Sequence, residues 1–398
     1  GKAIEVLLLI IYIMCNKILI SNDKKKTNKN ITGAVVVVAG MSSRMKRFKP
    51  LLPLGEKTII EHVIDSLRES GVQKIVVVTG NQTKLIVNQL ENRDVHFVYN
   101  ELYTTTTMFD SVKLGVTYIK NQCDMFFFLP GDIPLFRSHT LLEMKRTMEK
   151  SSCHIVQPTY KGKHGHPVLF SASCIDTILN HNGKMGLKGA IESIDNRLDL
   201  LVPDKGILLD ADTPKDYEEL LDYYKKRDIP DEEMCIEILK FFNTDERVIK
   251  HCQAVLGVSK KLTDRLKCTG YRLNEKLICS SALLHDVARK MKNHAKVGGE
   301  WLKEMGYDEV AEVIECHMDI EIGSIDALDE KAILYLADKL VIEDKEVSLE
   351  ERFENTYKKF ADQEIPSKAI EIRFNIAKRI LDNICQREEL FCENCASK

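Results

Sequence analysis

Two clusters of residue types in this 398-residue chain could do chemistry, and both suit phosphate. In "VVVVAGMSSRMKRFKPLLPL", residues 35–54, an apolar run ends at Ala39-Gly40, and Ser42, Ser43, Arg44 and Lys49 follow. Glycine lets the backbone turn tightly, successive N–H groups in such a turn form an anion nest, and the hydroxyls add donors. An arginine forks onto phosphate oxygens, whereas a lysine supplies a compact charge. Asp132 follows the apolar run in "FFFLPGDIP", and Asp210 and Asp212 follow the one in "ILLDADTP". Carboxylates so placed suit Mg²⁺, which is bound through carboxylate and phosphate oxygens together. One Asp after a strand is more often a helix cap. Two such sites beside a glycine-cation loop point instead to a metal-triphosphate grip. The loop is not a Walker A, because G-x-x-x-x-G-K-[ST] is absent.

The second cluster has the order H…HD…D: His251, then His285-Asp286, then Asp338. Adjacent residues on one helix project about 100° apart, so both can flank a metal that other helices approach. Imidazole with carboxylate suits Mn²⁺, Fe²⁺, Zn²⁺ or Ni²⁺. Such a metal acidifies water for attack on a phosphoester. His294 and His317 fall between the HD pair and the last Asp, where they could complete a two-metal site. "SALLHDVARK" sets the pair directly after an apolar face, where a buried polar dyad needs a partner.

These residues need elements to hold them. "AVVVVAG", "KIVVVTG", "VHFVYN" and "MFFFLPGD" are continuous apolar runs and predict strands buried on both faces. Between the first two, Ile59, Ile60, Val63, Ile64 and Leu67 fall at helical spacing, and Gly71 stops the helix. Alternating strand and helix predicts an α/β, doubly wound, mainly parallel sheet over residues 31–225, with ligands at the carboxyl ends of its strands. Residues 226–398 predict an all-α domain with no convincing strand, and its "NTDERVIKHCQAVLG" helix takes Asn243 as N-cap and Glu246 three residues on. Residues 1–30 carry an apolar run from Ile4 to Cys15, shorter than the roughly 20 residues a membrane helix needs, and then a basic stretch. This segment is signal-like or a weak anchor and is set aside from the fold.

Net charge is −3, so no global basic field argues for nucleic acid as a partner. The chain has 12 cysteines scattered through apolar stretches, and a chain of this size needs no disulfide staples. Reduced thiols and a cytoplasmic setting follow. The spacing of Cys392 and Cys395 suits zinc or redox chemistry, but no second ligand pair sits nearby.

"VAGMSSRMKRFKPLLPLGEKTIIEHVI" resembles the A-G-x-S-x-R-M…K-x-L-L signature of nucleotidyltransferases, most closely the molybdenum cofactor cytidylyltransferases. "NELYTTTTMFDSVKLG", "LPGDIP", "GHPVLF", "GKMGLK" and "DADTP" follow in that family's order, and the resemblance covers about Gly33 to Leu221. It implies nucleotide-binding roles for Ala39, Gly40, Met41, Ser42, Ser43, Arg44, Lys49 and Gly80, with Arg44, Lys49 and Asp132 catalytic. It implies magnesium at Asp132, Asp212 and Asp210, and an acceptor site at Met108, Ser111, His166 and Lys188. His164, beside His166, is a further candidate for that site, and the alternative for His166 is a strand-start histidine bonded to backbone. Ala39 resembles the cytidylyl branch, which implies CTP, a phosphorylated acceptor such as molybdopterin and a molybdenum hydroxylase maturation partner. The pattern departs at Lys46, at Ile133, at Thr107-Met108 and at Lys188, around the acceptor more than the metal.

"SALLHDVARK", "HAKVGGEWL", "IECHMD" and "YLADKLV" resemble the HD-domain phosphohydrolases over about Met234 to Leu381. That resemblance implies metal at His251, His285, Asp286 and Asp338, and also at His294 and His317, with no particular substrate. The expectation is a bifunctional enzyme, a cytidylyltransferase joined to an HD phosphohydrolase. The alternatives are a sugar-phosphate or alcohol-phosphate acceptor, or a nucleotide sensor with decayed sites. Retention of Arg44, Lys49, Asp132 and the full H…HD…D set argues against decay.

Overall fold

A computed structural model describes residues 30–40, 47–360 and 364–396. The predicted strands form as β1 (Thr32–Val37), β4 (Lys74–Thr79), β5 (His96–Tyr99) and β6 (Met125–Pro130), with the short pair β2 (Pro53–Leu54) and β3 (Lys57–Thr58) between. β7 (Ile155–Tyr160), β8 (Lys163–His164), β9 (Val168–Ser171) and β10 (Arg197–Leu201) complete an eight-stranded sheet of order β10-β7-β9-β6-β1-β4-β5, with β8 on β7. β1 runs parallel to both β4 and β6, in register Val36↔Val77 and Val36↔Leu129. The exceptions are β9, antiparallel to β6 and to β7, and the short β8, antiparallel to β7.

The continuous apolar runs are continuous because both faces of the sheet are covered. Ala34, Val36 and Val38 point into one core with Ile60, Val63, Ile64 and Leu67 of the helix Ile59–Glu69. Val35, Val37 and Ala39 point into the other with Phe109, Val112 and Val116 of the helix Met108–Ile119. Each such buried side chain contributes about 1.5–3 kcal/mol. Thr58 and Glu61 close a capping box that starts the first helix, and Gly71 follows its end at φ +77°.

The apolar run before Asp210 is not a strand. Residues Lys205–Leu208 make a 3₁₀ turn, because the buried Asp204 carboxylate accepts from Gly206 N (3.0 Å), Arg137 N (2.7 Å) and Thr140 Oγ1 (2.7 Å). The chain then enters the helix Pro214–Lys226 through a Thr213–Asp216 capping box.

The following helices are Glu232–Phe241, Glu246–Cys268, Glu275–Leu284, His294–Glu304, Asp308–Glu315, Ile322–Ala327, Glu330–Lys339, Leu349–Phe360 and Glu364–Ala396. One small ladder interrupts them, β11 (Val341–Ile342) with β12 (Lys345–Glu346). Asn243 is not the N-cap of Glu246–Cys268. It sits at φ +50° just past the end of Glu232–Phe241, and Asp245 takes the cap position. Asparagine tolerates this left-handed conformation better than most residues, which explains its place there.

A single apolar cluster extends from the first sheet face into the helical half, through Tyr160, Val202, Ile207, Met234, Ile238, Met305 and Tyr307. Arg137 threads this junction. Its guanidinium donates to Met305 O (2.8 Å) and to Arg227 O and lies 4.2 Å from the Tyr307 ring centre. Cysteines with described side chains are free thiols, and Cys392 is exposed on the last helix. Among the described residues no helix is long and apolar enough to cross a membrane. Residues 1–29 lie outside the described residues, and so does the apolar run from Ile4 to Cys15.

Candidate functional site

The carboxyl ends of β1 and β6 open onto a cavity of about 290 Å³. Ala39, Gly40, Lys49, Tyr103, Met108, Ser111, Asp132 and Asp212 line it. Gly131 N donates to Val37 O (2.9 Å) and carries the β1–β6 pairing past the strand end. A Cβ on Gly131 would stand 2.2 Å from Val38 Cγ1, so only glycine lets Asp132 leave the sheet this close to β1. Gly80 is similarly confined, with Tyr103 Cβ 2.6 Å from where its own Cβ would stand. Gly80 follows β4 directly and packs against Tyr103, which lines the cavity, without lining it itself.

Lys49 begins a 3₁₀ turn made rigid by Pro50 and reaches across the cavity. Its ammonium donates to Asp132 Oδ2 at 3.2 Å and to Asp212 Oδ1. Burial opposes that charge, but Asp212 and Asp132 outweigh it and raise the pKa above the ordinary lysine value. Asp210 stands back from this contact. Its Oδ1 accepts from Asp212 N (3.1 Å), and burial, with Asp212 and Asp132 nearby, raises its pKa. Asp132 and Asp212 thus converge from two loops far apart in sequence, whereas Asp210 braces the second loop. Met41, Ser42, Ser43 and Arg44, and with them Lys46, lie outside the described residues.

A second cavity of about 680 Å³ meets the first along Thr107, Met108 and Pro130. Met108 is 52% exposed at the first turn of its helix, between the two cavities. Ser111 is buried and accepts from Asn100 Nδ2 (3.0 Å), so it supports the Thr104–Thr107 loop as well as lining the first cavity. His166 presents its ring to the second cavity, edge-on to Phe128 at 5.8 Å. Burial lowers its pKa to about 4, with the Phe128 carbonyl opposing, and its Nδ1 has no hydrogen-bond partner among the described residues. Lys188 lines the exposed rim near Glu192, and His164 pairs with Asp199 (3.0 Å). Arg197 and Gln157 also line this cavity and were not singled out by sequence, since no motif marks them.

The H…HD…D residues meet in the helical half, with one change from expectation. His285 and Asp286 are not both on a helix. The helix Glu275–Leu284 ends before them, and they occupy a tight turn closed by Val287 N→Leu284 O (3.0 Å) and Arg289 N→Asp286 O (2.9 Å). That turn sends the two side chains inward together. His251, His285 and Asp338 form one group of close ligand atoms, and Asp286, His294 and His317 form another. Asp286 connects them, with Oδ2 3.7 Å from His285 Nε2 and Oδ1 3.2 Å from His294 Nε2 and 3.6 Å from His317 Nε2. Asp338 Oδ1 lies 3.2 Å from His251 Nε2 and 3.6 Å from His285 Nε2.

The outer nitrogens are locked. His251 Nδ1 lies 2.8 Å from Glu343 O, His285 Nδ1 2.8 Å from Ala282 O, and His317 Nδ1 2.6 Å from Ile314 O. A ring nitrogen facing a carbonyl must donate, so each Nε2 faces the carboxylates, as a donor when the ring is protonated and as a lone pair open to a metal when it is neutral. Burial works against the charge on Asp286, yet His285, His294 and His317 hold its carboxyl well below the usual range. Burial likewise opposes the charge on Asp338, and Lys339, His251 and His285 outweigh it. Lys339, buried and 2.7 Å from Asp338 Oδ2, is a participant that the sequence pattern did not mark. His285 Nε2 and Asp286 Oδ1 are buried with no hydrogen-bond partner among the described residues. Two buried carboxylates under inward imidazole lone pairs fit a divalent cation.

A family model for a MobA-like NTP transferase domain matches residues 34–198, and one for an HD domain matches residues 248–342. Among curated proteins, the tRNA (cytidine(56)-2'-O)-methyltransferase of Picrophilus torridus is 28% identical over 193 residues, 44% of this chain and 52% of that protein. The Bifunctional protein GlmU of Francisella tularensis is 35% identical over 109 residues, 27% of this chain and 23% of that protein. The chain thus spans about half the length of the first relative and about a quarter of the second. Among solved structures, a nucleotidyl transferase from Methanothermobacter is 22% identical with a TM-score of 0.43, over 50% of this chain and 99% of that one. Molybdopterin-guanine dinucleotide biosynthesis protein A from Archaeoglobus fulgidus is 17% identical with a TM-score of 0.37, over 49% and 99%. The chain joins a MobA-like NTP transferase domain, on a mostly parallel mixed sheet, to a helical HD domain.

Proposed function

We propose that the chain transfers CMP from CTP to a phosphorylated acceptor with release of pyrophosphate, and that its helical half hydrolyses a phosphoester. The observation that carries the first activity is the Lys49 ammonium held between Asp132 and Asp212, in a cavity that runs into a second, larger one. A magnesium ion on Asp132 and Asp212 would neutralise the triphosphate. Lys49 orients the reacting phosphate and offsets the charge that develops on it, and the two cavities hold donor and acceptor in line. Phosphoryl chemistry of this kind needs positioning and charge more than a covalent intermediate.

Molybdopterin is the acceptor we favour. The acceptor cavity is walled by Phe109, Val112, Phe128, Val168, Leu187 and Ile191, with polar groups at Gln157, His166 and Lys188. Apolar walls with a few polar groups suit a flat heteroaromatic body better than a sugar. His166, neutral at pH 7, can offer or accept a hydrogen bond there without adding charge. Ala39, buried at the cavity floor, supports CTP. The test is transfer of α-labelled nucleotide from CTP, GTP, ATP and UTP to molybdopterin, with pyrophosphate measured alongside. Turnover on a sugar phosphate with indifference to molybdopterin would replace this acceptor.

For the second activity, His251, His285, Asp338, Asp286, His294 and His317 would hold one or two divalent ions. Such an ion supplies a charge that acidifies water and draws electron density from the phosphorus. Asp286 spans both ligand groups and fixes their spacing, while the carbonyl-locked rings keep their lone pairs aimed inward. Phosphate release from a generic phosphoester, lost in His285→Ala, tests this activity.

A further inference from the structure

Resting on the phosphohydrolase reading above, we propose that the HD centre takes a substrate with a chain of phosphoanhydride-linked phosphates rather than a single phosphoester. The centre opens onto a cavity of about 690 Å³, lined by the cations Arg247, Lys250, Arg289, Lys339, Arg352 and Arg373 against the carboxylates Asp286, Asp338, Glu343 and Asp344. The cations come from separate elements and arrive by helical spacing. Arg247, Lys250 and the ligand His251 share one face of Glu246–Cys268 at i, i+3 and i+4. Arg352 and Thr356 share a face of Leu349–Phe360, and Ile370 and Arg373 share one of Glu364–Ala396. The cavity therefore takes cations from three helices as well as from the residues beside the ligands.

Some of these charges are already committed. Lys339 serves Asp338 (2.7 Å), Arg289 lies 3.6 Å from Asp286 Oδ1, and Arg373 reaches the exposed Asp319 (3.4 Å). Arg247 and Arg352 have no ion pair among the described residues, and Arg352 is partly buried. A guanidinium turned into a cavity without a carboxylate partner suits the phosphate oxygens of a ligand, which it can take two at a time. A divalent ion on the ligands adds to the cation excess. One phosphoester dianion would leave cations of these helices uncompensated, whereas an oligophosphate chain carries charge enough to meet several of them. Its hydrolysis would form one P–O bond from water, break one phosphoanhydride P–O bond, leave the electron pair on the departing phosphate oxygen and release the water proton.

The test reads binding rather than turnover. The full chain is titrated calorimetrically with inorganic tripolyphosphate and with orthophosphate, in a Lys49→Glu background that silences the first site. Arg247→Gln/Arg352→Gln is expected to weaken tripolyphosphate at least about tenfold, the loss of charge-assisted bonds, while orthophosphate affinity stays within about threefold. Arg247→Gln alone, at an exposed position, is expected to show part of the same loss without any change in melting temperature. Equal weakening of both ligands, or of neither, overturns the proposal. ATP or CTP binding more tightly than tripolyphosphate identifies a nucleotide as the source of the chain, and equal affinity identifies an inorganic one. Absence of phosphate release from every substrate would refute the hydrolase reading alone, because the titration decides the ligand independently.

Discussion

The Lys49 ammonium lies 3.2 Å from Asp132 Oδ2, although 83 residues of chain separate the two. That contact joins the loop after β1 to the end of β6, and Asp212 completes it from the far side. The carboxylates proposed to hold magnesium are thus also the ones that position the lysine. Removing any one member disturbs the charge balance of the others.

Lys49→Ala is expected to lower kcat/KM for nucleotidyl transfer on the order of 10²-fold or more, as loss of a transition-state cation does elsewhere. Lys49→Arg should not restore it, because the planar fork cannot replace a point charge between two carboxylates. Steady-state pyrophosphate release checks both, with circular dichroism to show that the fold persists.

Gly131→Ala is expected to destabilise the protein by about 1–3 kcal/mol, the range for overpacking. The new methyl would meet Val38 Cγ1 at 2.2 Å and push Asp132 away from β1. Urea unfolding reads the stability, and nucleotide binding should fall with it.

Half-buried His166 makes stability depend on acidity. Its folded pKa is lowered to about 4, whereas an unfolded histidine titrates near about 6.5. Between these values the unfolded chain binds a proton that the folded one refuses. The stabilisation from neutral His166 is therefore complete above about pH 6.5 and is lost as pH falls toward about 4. His166→Gln should flatten that part of the urea-midpoint profile, and an unchanged profile would count against the burial of this ring.

Metal content separates the two ligand groups of the HD half. His285→Ala should lose the ion of the first group and His294→Ala that of the second, while Asp286→Asn should lose both. Elemental analysis of each purified variant gives the answer. Equal loss in all three would mean a single ion shared by every ligand.

Much of this was legible in the sequence, for reasons particular residues make plain. Val35 to Val38 announced a strand covered on both faces, and Ile59 to Leu67 a helix covered on one, because burial alone fixes those patterns. Asp132 was singled out as following a strand, and it does follow β6, whereas the run before Asp212, read in the same way, is a 3₁₀ turn. The antiparallel β9 was not legible, since its insertion between β6 and β7 depends on pairing across distant segments. Nor was the 3₁₀ turn before Asp210, which is imposed by Asp204 contacts to Arg137 and Thr140. The helix end before His285, and the carbonyl of Glu343 that orients His251, are likewise set by tertiary packing rather than local spacing. Arg247 beside Lys250 and His251 did carry a readable signal, a shared helix face, but nothing in it distinguishes a ligand-facing row from a solvated one.

The proposed nucleotidyl transfer to molybdopterin is measured most directly as label from α-labelled CTP in the presence and absence of that acceptor with Mg²⁺. The expected result is acceptor-dependent label in the product, one pyrophosphate released per transfer, a preference for CTP over GTP, ATP and UTP, and loss of all three in Lys49→Ala. Pyrophosphate release that ignores molybdopterin, or transfer that survives Lys49→Ala undiminished, would contradict it.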